Sequence, residues 1–208
     1  QRSRRIGLGI TGLADALAML GRRYGDAAAR ASAALAMTTL RDAAYEASIA
    51  LARERGAFPA FDRAAYCGRP FIRSLPAQLQ ADVRRHGIRN SHLTAIAPTG
   101  TISLLAGNVS SGIEPIFALE GTRRVLQADG TPRDFQTTDF AYALWHARPA
   151  TAAELDGMFS TGDSVSAEDQ LRMQAALQPA VDGAISKTIV VPGNCTASNV
   201  REILASAF

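Results

Sequence analysis

Small hydroxyl residues, a proline and two glycines concentrate in one stretch of the chain, residues 90–108. The pattern predicts a short strand (93–97), a tight turn and the start of a helix (102–106). The first N–H groups of a helix have no intrahelical partners and carry a partial positive charge. Such a helix start binds anions, most often phosphate. The stretch therefore predicts an anion site in the turn at residues 98–103.

A second loop rich in small polar residues follows at 108–115. Loops at the same end of a parallel sheet line the ligand site in α/β folds. The residues that we expect to line the site from this loop are Asn108, Ser110, Ser111 and Gly112.

The elements that must position these loops alternate between helices and isolated apolar strands, which indicates a helix-rich α/β fold. Helices are predicted at 11–20, 26–55, 76–86, 139–146, 166–177 and 199–208, with a further short helix beginning at Thr151. Strands are predicted at 93–97 and 187–191, a loop at 57–75, and a hairpin excursion at about 116–136 with its turn at Asp129-Gly130. Because the strands are few, we expect residues 1–208 to form a single domain or a fragment of a larger one.

The segment 7–12 has the spacing GxGxxG, which occurs in dinucleotide-binding folds. That fingerprint requires an apolar strand before the first glycine, and here arginines and a serine precede it. We interpret the glycines as sites of close packing for the helix predicted at 11–20.

Charge and cysteine content exclude several classes of function. The net charge is +3, Lys187 is the sole lysine and no long basic run occurs, so nucleic-acid binding is not indicated. Two distant cysteines and three scattered histidines predict neither a disulfide framework nor a metal site. No apolar run reaches the roughly 20 residues of a membrane span, and we expect a cytoplasmic protein. The chain starts at Gln1 and ends in a predicted helix, so we expect a piece of a longer protein.

Five segments match the motifs of one protein family, in the family's order: 5–17, 54–59, 89–103, 111–115 and 184–189. On these motifs the chain resembles the C-terminal part of the large chain of ribonucleotide reductases, of the adenosylcobalamin-dependent class. The resemblance implies that the parent fold is a ten-stranded α/β barrel and that this chain supplies its C-terminal part.

The resemblance also implies a role for the first loop. It implies that backbone N–H groups of this loop bind the phosphate groups of a ribonucleotide substrate, with hydroxyls of Thr99, Thr101 and Ser103 as further donors. The matching positions are Pro98, Thr99, Gly100, Thr101, Ile102 and Ser103.

The family's reaction is radical chemistry, in which a cysteine thiyl radical, generated with adenosylcobalamin, abstracts a ribose hydrogen and a cysteine pair supplies reducing equivalents. The resemblance places those cysteines, with an assisting carboxylate and amide, before the matched part, and a further redox pair after it. Neither Cys67 nor Cys195 falls in these motifs. We therefore expect no catalytic residue in this chain, and a chain that is inactive alone.

Three interpretations stay open. The chain is part of a ribonucleoside-diphosphate or -triphosphate reductase that needs the remaining catalytic part, a non-catalytic nucleotide- or phosphate-binding module, or an interaction subunit that completes another chain's barrel. Part of a barrel exposes strand edges and an apolar face, so we also expect self-association. Nucleic acid, membrane and metal are not expected as partners.

Overall fold

The computed structural model describes residues 2–147 and 158–207. Its helices are α1 Leu13–Met19, α2 Ala27–Arg55, α3 Arg63–Cys67, α4 Pro70–Arg73, α5 Ala77–His86, α6 Gly100–Leu105, α7 Phe140–His146, α8 Ala167–Leu177 and α9 Ala197–Ala207. A 3-10 turn at Gln178–Ala180 follows α8, and two strands, β1 Glu120–Leu126 and β2 Pro132–Thr138, form a hairpin. The short helix predicted from Thr151 lies outside the described residues.

The chain divides into two compact units built from interleaved segments. Unit 1 contains Gln1–Ile10, Ala31–Ala97 and Ala175–Ser186, and unit 2 contains Thr11–Arg30, Pro98–Gln174 and Lys187–Phe208. The mixture of helices and strands fits the predicted α/β class. No helix in the described part of the chain combines the length and apolar composition of a membrane span.

The long helix α2 confirms the prediction for 26–55 to within one residue. Its end is set by Gly56, whose φ of 76° is the left-handed conformation that closes many helices. The sequence places apolar residues of this helix at alternating steps of four and three, which predicts one buried face. On that face Ala33, Met37 and Ala44 are buried in unit 1, whereas Ala47 is exposed and Leu51 is 39% exposed. A core of aromatic and aliphatic side chains from α2 to α5 and the following segment fills unit 1.

Three short extended segments of unit 1 lie in parallel register. Leu8 pairs with Thr94, and Ile96 pairs with Ile185, both as parallel bridges. The predicted strand at 93–97 is thus the middle segment, with a neighbour on each side.

The interpretation of the GxGxxG segment as packing of a helix was wrong for its first two glycines, which lie in the extended segment beside residue 95. A Cβ at Gly9 would stand 2.2 Å from the carbonyl oxygen of Ala95, so only glycine fits there. Gly12 precedes α1 with φ 74°, in the left-handed region.

Two predictions of secondary structure were wrong for the described residues. The β-branched run 187–191 forms no strand, and the parallel partner of Ile96 is Ile185 instead. The predicted loop at 57–75 contains the helices α3 and α4. Asp62 starts α3, because its carboxylate accepts a hydrogen bond from the N–H of Ala65 (2.8 Å).

The hairpin of unit 2 occupies 120–138, a few residues beyond the predicted 116–136. Its strands pair antiparallel from Glu120 with Thr138 to Leu126 with Pro132. Ile116, predicted to lie in its first strand, instead makes a parallel bridge with Thr161.

Candidate functional site

The predicted anion site lies at the start of α6, in unit 2. Thr99, the residue before the helix, has φ 51°, a conformation that is uncommon for a β-branched residue. The N–H groups of Gly100, Thr101 and Ile102 make no hydrogen bond to any described residue. Helix α6 therefore begins with consecutive N–H groups that are available to an acceptor.

The space beside Gly100, at the start of α6, is open. A Cβ on Gly100 would meet no heavy atom within 4 Å, and the backbone there has no positive φ. Neither packing nor conformation within the described chain requires a glycine at this position. The exposed Thr101 hydroxyl has no partner among the described residues and is a further donor for an anion.

The other two hydroxyls predicted to contact the anion are used inside the protein. Thr99 Oγ1 accepts a hydrogen bond from the N–H of Gly112 (2.7 Å) and lies 2.9 Å from Thr11 Oγ1. Ser103, which is buried, donates from Oγ to the carbonyl oxygen of Gly100 (3.0 Å). Both side chains hold the loop in shape, so the donors that face solvent are backbone N–H groups and the hydroxyl of Thr101.

Ser110 of the second loop is committed to α1. Its carbonyl oxygen accepts from the N–H of Gly12 (2.7 Å), and its Oγ accepts from the N–H of Ala14 (3.1 Å). Its own N–H donates to a carboxylate oxygen of Asp15 (2.7 Å). With all three polar groups engaged, Ser110 supports the site rather than facing a ligand.

Asn108 and Ser111 likewise make contacts inside the protein. Asn108, with φ 64°, donates from Nδ2 to the carbonyl oxygen of Thr138 at the end of the hairpin (2.9 Å). Ser111 Oγ lies 3.1 Å from Ser103 Oγ, which connects the second loop to α6. The second loop is thus a frame around the first.

Two carboxyl groups, Asp15 and Asp139, lie buried together behind this frame at 3% and 2% exposure. Asp139 starts α7, where it accepts from the N–H of Tyr142 (3.1 Å). Burial, and after it the charge of Asp15, raises the pKa of Asp139 to about 6. Asp139 therefore holds its proton to a higher pH in the folded chain than an exposed aspartate does.

This pair predicts an unusual dependence of stability on pH. Because the pKa of Asp139 rises from 3.8 in the unfolded chain to about 6 on folding, the native state binds more protons between these values. The contribution of Asp139 to stability is therefore fully present below about pH 4 and is lost as the pH rises through about 6. Asp139→Asn should remove this loss and raise the free energy of unfolding at pH 8 by roughly 1–3 kcal/mol, measured by denaturant titration.

Asparagine is also a good N-cap residue, so the substitution should preserve the start of α7. Asp129→Asn, at the exposed hairpin turn, is the matched control. Hydrogen bonds from Thr131 lower the pKa of Asp129, so its neutralisation should not stabilise the chain at pH 8. If Asp139→Asn were less stable than the unmodified chain at pH 8, the raised pKa of Asp139 would be contradicted.

Four residues in or next to the two loops were not predicted as site residues: Thr11, Asp15, Glu114 and Lys187. Thr11 and Asp15 lie on either side of the start of α1. The sequence interpretation of this region considered only its glycines. A sole lysine in an arginine-rich chain was the available signal for Lys187.

Neither cysteine belongs to the loops at 98–103 and 108–115. Cys67 ends α3 and packs half-buried against the core of unit 1. Cys195 lines a cleft of about 600 Å³ between the segment 190–195 and helices α8 and α9. Among residues 2–147 and 158–207, no three His, Cys, Asp or Glu side chains are grouped to hold a metal ion. The donors at the start of α6 are amides and a hydroxyl, which suit a phosphate group.

The chain is similar to proteins of one family along its whole length. The family described as "Ribonucleotide reductase, barrel domain" matches residues 1–208. A vitamin B12-dependent ribonucleoside-diphosphate reductase from Mycobacterium tuberculosis is 37% identical over 99% of this chain. A protein of the same name from Thermoplasma acidophilum is 33% identical over 99% of the chain. The alpha subunit of a ribonucleoside-diphosphate reductase from Treponema pallidum is 33% identical over 69% of it.

The chain spans only 30% of the Mycobacterium protein and 26% of the Thermoplasma protein. The match to the family nevertheless covers every residue, including the loops at 98–103 and 108–112. The chain belongs to the ribonucleotide reductase barrel-domain family.

Proposed function

We propose that this chain is the C-terminal part of the catalytic barrel of a vitamin B12-dependent ribonucleotide reductase, which converts ribonucleotides to 2′-deoxyribonucleotides. The names of the relatives that align with 99% of the chain support this activity. The proposed parent fold is a ten-stranded α/β barrel. The parallel register of the segments around Leu8, Thr94 and Ile185 is compatible with barrel strands.

Within that enzyme, the proposed role of this chain is to bind the phosphate groups of the substrate at Pro98, Thr99, Gly100, Thr101, Ile102 and Ser103. The observation that carries the proposal is the row of N–H groups at Gly100 to Ile102, which have no partner among the described residues, together with the open space at Gly100. These N–H groups and the helix dipole favour negative charge. Asn108, Ser110, Ser111 and Gly112 shape the loop from behind.

The substrate is proposed to be a ribonucleoside diphosphate. The Mycobacterium and Thermoplasma relatives are both named for this substrate class. A diphosphate offers several acceptor oxygens, which matches a loop whose donors are mainly consecutive backbone amides.

Adenosylcobalamin is proposed as the cofactor of the complete enzyme, on the names of the same relatives. It would supply the radical that starts the reaction. The donors of the present site suit phosphate, and we assign no residue of this chain to the corrin. Cys67 and Cys195 receive no radical or redox role, so we propose that activity requires the remaining catalytic part.

The direct test is a calorimetric titration of this chain with a ribonucleoside diphosphate and with the corresponding nucleoside. Saturable binding of the diphosphate, and much weaker binding of the nucleoside, is expected. Equal affinities for the diphosphate and the nucleoside would contradict the proposed role of the loop at 98–103 in phosphate binding. The activity is tested by mixing the chain with adenosylcobalamin, a thiol reductant and a polypeptide that carries the rest of the barrel. If no deoxyribonucleotide forms, the proposed activity is contradicted.

Self-association is proposed for the chain on its own. Several large apolar side chains are exposed in unit 2: Leu105, Phe117, Leu126 and Leu204. The hairpin also leaves strand edges unpaired, since it forms a sheet of two strands. We expect sedimentation velocity to report a dimer or larger species at micromolar concentration. A monomer that binds no dye specific for apolar surface would contradict this.

A further inference from the structure

The side chain of Lys187 is buried, although lysine is among the residues most rarely found inside proteins. Its side chain is 3% exposed, and Nζ donates to Glu114 Oε2, to Gln170 Oε1 (3.1 Å) and to the carbonyl oxygen of Thr188 (2.7 Å). All three donors of the ammonium group are thus satisfied. Burial lowers the pKa of Lys187, and Glu114 opposes that shift.

Glu114 holds the segment after residue 186 at two points. Its Oε2 pairs with Lys187, and its Oε1 accepts from the N–H of Thr188 (2.7 Å). The N–H of Thr188 thus donates to a side-chain carboxylate and not to the backbone carbonyl of a neighbouring strand. It is satisfied in this way although the β-branched run at 187–191 belongs to no strand among the described residues.

The loop that carries Glu114 also contacts the phosphate-binding loop. The residue before Glu114, Ile113, accepts a hydrogen bond at its carbonyl oxygen from the buried hydroxyl of Tyr24. One residue earlier, the N–H of Gly112 donates to Thr99 Oγ1 (2.7 Å). The ion pair, the second loop and the start of α6 thus form one continuous set of contacts within unit 2.

We propose that the Lys187–Glu114 ion pair is a positioning element, which fixes the second loop and through it the phosphate-binding conformation of Thr99 to Ile102. A buried ion pair contributes little net stability compared with apolar residues of the same size. Its specific contribution here is geometric, because Glu114 can satisfy Lys187 and Thr188 together only in one placement of the loop. The inference rests on the proposed function of that loop.

The test is a double-variant cycle on the full chain, with inorganic pyrophosphate as the probe in calorimetric titrations. Lys187→Met, Glu114→Gln and the double variant should each weaken pyrophosphate binding by roughly three- to thirtyfold. The losses should be equal rather than additive, since each variant removes the same pair. Circular dichroism confirms that each variant is folded under the conditions of the titration, so that affinity reports the loop and not the folded fraction.

Glu114→Gln leaves a buried cation without its counter-ion and is the variant most prone to unfold. Lys187→Met leaves the Glu114 carboxylate, which is 21% exposed and keeps its hydrogen bond from Thr188, and the double variant leaves neither charge. These two variants therefore decide the result if Glu114→Gln does not fold. The matched control is Glu168→Gln, which breaks the exposed pair with Arg172 and should not change the affinity. Unchanged affinity in Lys187→Met, or losses that add in the double variant, would overturn the inference.

Hydrogen exchange separates this inference from the proposed function. The N–H of Gly112 should exchange faster in Lys187→Met than in the unmodified chain, while the amides of α5 in unit 1 should be unaffected. If the unmodified chain binds no pyrophosphate, the phosphate-binding function fails. If it binds pyrophosphate but neither exchange at Gly112 nor affinity changes in the variant, the positioning role fails and the function stands.

Discussion

Gly100→Asp should weaken the binding of a ribonucleoside diphosphate to this chain by on the order of a hundredfold, judged from the repulsion of like charges a few ångströms apart. A Cβ at this position meets open space, so the carboxylate would project where the phosphate is proposed to bind. An acidic residue is favourable in the first turn of a helix, so α6 should remain folded. Calorimetric titration measures the affinity, and in the complete reductase the KM for substrate should rise.

Two control variants separate charge at the site from other effects. Gly100→Ala adds a Cβ that meets no atom within 4 Å and should bind with an affinity close to that of the unmodified chain. Gly193→Asp adds the same charge at another open glycine of unit 2 and should leave the affinity unchanged. Equal losses in Gly100→Asp and Gly193→Asp would indicate a general charge effect and would contradict the assignment of the loop.

The parts of the fold that local sequence determines were predictable. Helix α2 follows from apolar spacing and from the glycine that ends it, both of which act within one segment. The open start of α6 was predictable for the same reason, because a helix always leaves its first N–H groups without intrahelical partners.

The parts that depend on distant residues were not predictable. The run at 187–191 has strand propensity, but propensity does not supply a partner strand, and its N–H at Thr188 is satisfied by Glu114. Thr99 was predicted to contact the anion, yet its hydroxyl is taken by Gly112, thirteen residues later in the sequence. Such contacts are visible only once the loops are placed together.

Asp182 is the clearest example of a residue whose role depends on distant contacts. Asp182→Ala should lower the free energy of unfolding by about 3–5 kcal/mol, because buried donors lose their acceptor. Its carboxylate accepts from the N–H groups of Leu93 (2.9 Å) and Thr94 (2.8 Å) and from the hydroxyl of Tyr45 (2.7 Å). Leu93 and Thr94 are almost fully buried in the middle of the parallel segments. Their N–H groups make no hydrogen bond to any other described residue. Denaturant titration measures the loss.

Graded variants test whether the cost comes from these hydrogen bonds. Tyr45→Phe removes one donor and leaves the carboxylate its other partners, so it should cost only about 1 kcal/mol. Asp82→Ala, which breaks the partly exposed ion pair with Arg53 on α2, should cost no more than about 1 kcal/mol. If Asp182→Ala were no more destabilising than Tyr45→Phe, the amides of Leu93 and Thr94 would not depend on this carboxylate. The middle segment would then be held by its neighbours alone, through the backbone hydrogen bonds to Leu8 and to the segment at 183–186.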